Sequence, residues 1–142
     1  MRILYLSRWF PYPPDSGVKM RLFHLIQSLA EYHAVDLIAF CDRQPDAETL
    51  HPLAALCRRV DTVLYRPLNP TRVKAVMGDF AARPRFLIDT YSPEMAARVA
   101  RAVKQERYDL VIVSEIDMAP YAETLRGIPT LFGGPEVSTY LD

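Results

Sequence analysis

The segment Arg8-Trp9-Phe10-Pro11-Tyr12-Pro13-Pro14-Asp15-Ser16-Gly17, with Lys19 and Arg21 after it, holds the densest chemistry in this sequence. It joins an apolar run to an amphipathic one. A helix that opens at Gly17 presents unpaired backbone N–H groups and the positive end of its dipole, which together attract anions. Glycine lets a phosphate come close to the backbone, and Lys19 and Arg21 add charge on the first turns. The plain alternative is that Asp15 or Ser16 caps the helix and Gly17 relieves a turn. The segment contains no G-x-G-x-x-G and no Walker-type loop, so it lacks the parts of a dinucleotide site or an NTPase. A second group of candidates is acidic: Glu115, Asp117 and Glu136, with Gly133-Gly134 between them. At the carboxyl ends of strands such carboxylates accept hydrogen bonds from hydroxyls or act as general bases. Equally, they are the residues that cap helices or sit solvated in loops, and Asp117 stands where it would cap a helix from Met118.

These residues need a scaffold, and the hydrophobic pattern supplies one. Ile3–Leu6 is apolar throughout, as a strand buried on both faces is. The spacing predicts a helix from about Val18 to Glu31, with Val18, Leu22, Leu25, Ile26 and Leu29 inward. A second strand follows at Val35–Phe40, and a helix over Ala47–Arg59 with Leu50, Leu53, Ala54 and Cys57 inward, Pro52 marking a late start or kink. Val60–Tyr65 reads as a third strand, and Thr71–Phe80 as a short helix in an irregular stretch. Ser92-Pro93-Glu94 opens a helix running to about Arg107, with cap, proline and acid in their favoured places and Ala96, Val99, Ala100 and Val103 inward. Tyr108–Val113 is a fourth strand, Met118–Leu125 a short helix stopped near Gly127, and Pro129–Phe132 a fifth strand. Strand and helix alternate throughout. The expected fold is therefore α/β: a Rossmann-like three-layer α/β/α domain over residues 1–142, with a parallel sheet of about five strands.

Composition removes several function classes. Lys plus Arg and Asp plus Glu are both 17, so the balanced charge gives no field for nucleic acid. Cys41 and Cys57 form neither a disulfide framework nor zinc spacing, and read as buried thiols of a reducing compartment. His24, His33 and His51 stand apart, with no carboxylate or thiol at ligand spacing, so no metal site is expected. No apolar run is long enough to cross a bilayer, and the first residues do not read as a secretion signal, which points to the cytoplasm. Arg66, Arg72, Lys74, Arg83 and Arg85, close to Phe80, Phe86 and Leu87, are either a solvated basic face or a peripheral contact with anionic lipid on the inner membrane face.

The run Pro11-Tyr12-Pro13-Pro14-Asp15-Ser16-Gly17-Val18-Lys19-Met20-Arg21, then His24-Leu25, Leu29-Ala30 and His33-Ala34-Val35, resembles the start of family 4 glycosyltransferases of the GT-B fold. Arg83-Pro84, Tyr91-Ser92-Pro93-Glu94-Met95, Tyr108–Val113 and Met118-Ala119-Pro120-Tyr121 continue the likeness through nearly the whole chain. The resemblance implies the N-terminal, acceptor-side half of a retaining enzyme that moves a sugar from a nucleotide-sugar donor to a hydroxyl. The acceptor would be a sugar, a lipid-linked sugar or a polysaccharide precursor, and the nucleotide sugar a co-substrate, with no further cofactor. The nucleotide-sugar domain would lie outside this chain, leaving it inactive alone. By the same resemblance the loop near the donor phosphates maps to Ser16, Gly17 and Val18, and Arg21 matches a recurrent arginine; with the charge of Lys19, the donor-phosphate candidates are Ser16, Gly17, Lys19 and Arg21. Glu115 and Glu136 are the catalytic candidates, and Trp9, Tyr12, Asp117, Gly133 and Gly134 the acceptor-binding ones. The sequence departs from the family at Val18, where a second glycine is common, and at Ser114 and Pro135, where histidines are common. A binding module for a nucleotide or carbohydrate, or a subunit dependent on a partner, is the alternative reading.

Overall fold

The structure, a computed structural model, describes residues 1–66 and 91–133. The elements are β1 (Arg2–Ser7), α1 (Gly17–Ala30), β2 (Ala34–Cys41), α2 (Ala47–Leu56), β3 (Arg59–Leu64), α3 (Pro93–Gln105), β4 (Leu110–Val113), a 3-10 turn (Ile116–Met118), α4 (Ala119–Ala122) and β5 (Thr130–Phe132). The strands lie in the order β3-β2-β1-β4-β5, and every neighbouring pair is parallel. The Rossmann-like α/β expectation is met. The chain turns outward in opposite directions from β1 and β4, so the switch point lies between those two strands.

Side chains alternate across the sheet and divide the core in two. Ile3, Tyr5, Leu37 and Ile112 pack with Leu22 and Ile26 of α1 and Leu53 of α2. Leu4, Leu6, Ile38, Phe40 and Val111 pack with Met95, Val99 and Ala102 of α3. Helices thus cover both faces, as strands apolar on both sides require. The inward stripes differ from the sequence expectation at their edges. Val18 and Leu25 are 38 % and 39 % exposed, because the stripe of α1 centres on Leu22 and Ile26. Ala54 and Ala100 are exposed too, while Met95 and Ala102 take the inward places on α3. Helix α2 starts at Ala47 behind an Asp46 cap, so Pro52 does not delay it. The helix expected over Thr71–Phe80 lies outside the described residues.

Ser92 caps α3 by accepting from the Met95 N–H at 3.2 Å, with Pro93 in the first turn. Ser92→Ala is expected to lower stability by about 1 kcal/mol, measured as the shift in urea midpoint. Gly127 has φ 85, the left-handed conformation that suits glycine in the turn before β5.

Polar groups clamp the amino edge of the sheet. Asp36 of β2 is 3 % exposed. It accepts from Arg58 Nε at 3.0 Å, from Arg58 Nη2 at 2.5 Å and from the Tyr108 hydroxyl at 2.6 Å. Arg58 Nη1 also donates to Glu106 Oε1 at 3.1 Å, and Arg2 pairs with the other Glu106 oxygen. The hydrogen bond from Arg58, then the charges of Arg58 and Arg2, hold the Glu106 carboxyl below its usual range. A depressed folded value means that this contribution is full above the unfolded carboxylate range and is lost as pH falls through the folded value. The acid limb of a urea-midpoint profile is expected to be shallower in Glu106→Gln than in the parent.

Candidate functional site

Ser16 is extended (φ -138, ψ 159) and its hydroxyl accepts from the Lys19 N–H at 3.4 Å, so the capping reading holds for this residue. Gly17 is the first helical residue, with no positive φ, and a Cβ there would meet nothing within 4 Å. Neither backbone strain nor crowding accounts for a glycine at this position. Lys19 Nζ lies 3.1 Å from Asp15 Oδ1, an exposed ion pair across one turn. Arg21 Nη1 donates to the Gly133 carbonyl at 3.1 Å and ties α1 to the end of β5. Ser16, Gly17, Lys19, Arg21 and Gly133 therefore share one end of the sheet, the carboxyl end of the strands.

The switch point lies beside them. Ser7 and Ser114 end β1 and follow β4, both fully buried. Ser7 Oγ donates to the Trp9 carbonyl at 2.7 Å and accepts from the Trp9 N–H at 3.2 Å, shaping the turn out of β1. Glu115, 7 % exposed, accepts from the Arg8 N–H at 3.0 Å and from the Ser114 hydroxyl. This carboxylate braces the loop after β1 against the loop after β4. Asp117 lies within the 3-10 turn, not at a cap, and its Oδ2 is 3.5 Å from Arg8 Nε. Beneath the loops, burial and then the charge of Glu115 push the Tyr5 phenol up, with Arg21 acting the other way. Tyr5 therefore stays neutral under the site.

Between the loops after β1 and β2 opens a cleft of about 650 Å³, whose walls include Arg8, Trp9, Tyr12, Lys19, Asp42 and Asp46. The adjacent aromatics Trp9 and Phe10 take different places. Phe10 is 7 % exposed in the core, while Trp9 packs at the edge of that core and lines the cleft. Tyr12 is held by the Phe23 ring at 5.8 Å. Cys41 also lines the cleft, but burial pushes its thiol up, away from the thiolate a nucleophile needs.

Arg8 is the feature that sequence reading missed. It is 8 % exposed, with its guanidinium carbon 4.2 Å from the Trp9 ring centre and 3.1 Å from that of Tyr65. An arginine directly after an apolar strand reads as a surface residue; the flanking aromatics Trp9 and Tyr65 were the available signal. Gly134 and Glu136 lie outside the described residues, as do Arg72, Lys74, Arg83 and Arg85. Among the described residues no group of His, Cys, Asp or Glu could hold a metal ion, and no helix is long and apolar enough to cross a membrane.

Solved structures share this fold. Phytolacca americana UGT2 complexed with UDP-2fluoro-glucose and pterostilbene aligns at a TM-score of 0.56 and 15% identity, over 94% of this chain and 30% of that one. The apo form of the same protein gives 0.55 and 16% over 94% and 29% of the two chains. A UDP-glucosyltransferase from Polygonum tinctorium capable of glucosylating indoxyl, in complex with 3,4-dichloroaniline, gives 0.53 and 12% over 94% and 29%. No family model and no curated protein matches the chain. At these identities the likeness shows the fold alone, a Rossmann-like α/β domain. The chain spans about a third of the length of these neighbours.

Proposed function

We propose that this chain is the acceptor-side domain of a glycosyltransferase that moves a sugar from a nucleotide-sugar donor to a hydroxyl, retaining configuration as family 4 enzymes do. The observation that carries the reading is Gly17, a glycine without a conformational or packing reason, at the open mouth of a helix beside the switch point. A diphosphate that approaches this backbone gives the glycine its reason. Helix N–H groups and Arg21 stabilise the negative charge that builds on the leaving diphosphate. Lys19 joins them when the phosphate competes with Asp15. The cleft lined by Trp9 and Tyr12 receives the acceptor; Asp117, beside Arg8, and Gly133, tied to Arg21, are the further acceptor candidates. Glu115 holds the loops in register from a buried position, and Glu136 is the second carboxylate of the proposed site. The shared fold with the UDP-glucosyltransferases supports the reading at the level of architecture. The reaction belongs to the cytoplasm, at the inner membrane face where a lipid-linked acceptor would lie, and needs a nucleotide-sugar domain to complete the site.

Hydrogen exchange tests the corner directly. A nucleoside diphosphate sugar is expected to slow exchange of the amides at residues 16–20, and Gly17→Trp to abolish the protection. Protection elsewhere with none at these amides would refute the phosphate corner. A binding module without catalysis is the second reading.

A further inference from the structure

The cleft between the loops after β1 and β2 is balanced in charge. Arg8, Lys19 and Arg43 stand against Asp15, Asp42 and Asp46 along its walls, with Asp117 behind Arg8. Arg8 makes no side-chain hydrogen bond among the described residues. Its guanidinium is held between the Trp9 and Tyr65 rings, 3.5 Å from Asp117 at Nε and 3.9 Å from Asp42 at Nη2. Nη1 is buried with no partner among the described residues. A guanidinium carries five donors in a fixed fork, and a buried one normally spends them. The 3.9 Å gap to Asp42 is too wide for a hydrogen bond. A hydroxyl group seated there accepts a hydrogen bond from Nη2 and donates one to the Asp42 carboxylate.

We infer that Arg8 and Asp42 form a hydroxyl-recognising pair for an uncharged sugar, and that the cleft refuses sugars bearing a carboxylate. This rests on the acceptor-side reading above and names the class of acceptor. A neutral polyol offers both donors and acceptors, as the Arg8–Asp42 pair does, and a sugar face stacks on aromatic rings such as Trp9 and Tyr12. An anionic group finds Arg8 already faced by Asp42 and Asp117, with Asp15 and Asp46 also on or beside the walls. Its approach brings like charges together, which is how sites reject a wrong ligand. Asp42 is well placed to discriminate, since its side chain is 70 % exposed and free to meet a ligand.

Trp9 is the only tryptophan in the chain and lies in contact with Arg8, so its fluorescence reports on this cleft. The 142-residue chain would be titrated with glucose, galactose, mannose and N-acetylglucosamine, then with glucuronate, galacturonate and mannuronate, with no nucleotide present. At least one neutral sugar is expected to give a saturable change and its uronate to bind about tenfold more weakly. Arg8→Lys, which keeps the charge and loses the fork, is expected to weaken the neutral sugar by about tenfold. Asp42→Asn, on the exposed rim and safe for folding, is expected to narrow the gap between sugar and uronate. Tighter binding of uronates, silence with every neutral sugar, or indifference to both substitutions would overturn the proposal. Because no donor is present, sugar binding that survives alongside a failed nucleotide test would remove the transferase reading and leave the sugar site standing.

Discussion

Gly17→Trp is expected to lower turnover of the native protein with its nucleotide-sugar donor by at least ~100-fold while leaving the unfolding midpoint unchanged. The two halves of that result come from different observations. Stability is indifferent because the position has no positive φ and a side chain there begins in open space; substitutions at such surfaces change stability by about 0.5 kcal/mol or less. Activity is sensitive because the indole fills the place where the diphosphate meets the helix N–H groups. A reacting group displaced by about 1 Å already costs on the order of 100-fold. Gly17→Ala, adding one methyl group, should fall between. A variant that loses stability and activity together would mean that Gly17 serves the fold. Unchanged activity in Gly17→Trp would remove the phosphate corner.

The largest effect on stability is expected at the other end of the sheet. Asp36→Ala leaves Arg58 and the Tyr108 hydroxyl without the carboxylate that now accepts from both. Arg58 is one-third exposed and keeps Glu106, so the cost is that of the lost hydrogen bonds to a buried carboxylate, about 1.5–3 kcal/mol. Against a total stability on the order of 5–15 kcal/mol, that is a large fraction. Tyr108→Phe, which removes one hydrogen bond to Asp36 and leaves the ion pair, should cost about 1 kcal/mol. Urea unfolding of the three proteins gives the comparison. Equal losses from the two substitutions would show that the clamp is not an ion-pair device.

Local signals made the architecture readable before the structure was known. Ile3–Leu6 is apolar at every position because β1 is the central strand, with a neighbour on each side and helices above and below. Ser92-Pro93-Glu94 announced α3 through side chains acting within one turn. The errors fall where the outcome depends on distant residues. Asp36 and Arg58 are 22 positions apart and meet only because β3 lies beside β2, so their pairing left no mark in either segment. Val18 and Leu25 fit the apolar period of α1 yet stay exposed, since periodicity fixes a stripe and not its edges. The site behaved in the same way. Ser16, Gly17 and Arg21 could be singled out from the helix start, whereas the burial of Arg8 depends on Tyr65 arriving from the end of β3. Glu115 was visible as an acid after a strand, but its hold on the Arg8 N–H depends on β4 lying beside β1.

The central claim is sugar transfer at the Gly17 corner. Its most direct test is release of nucleoside diphosphate by the protein purified from its own cells, incubated with a panel of nucleotide sugars and mixed hydroxyl acceptors. Acceptor-stimulated release is expected with at least one donor, abolished in the same protein carrying Gly17→Trp. Release with no donor in the panel, or release that Gly17→Trp leaves intact, would contradict it.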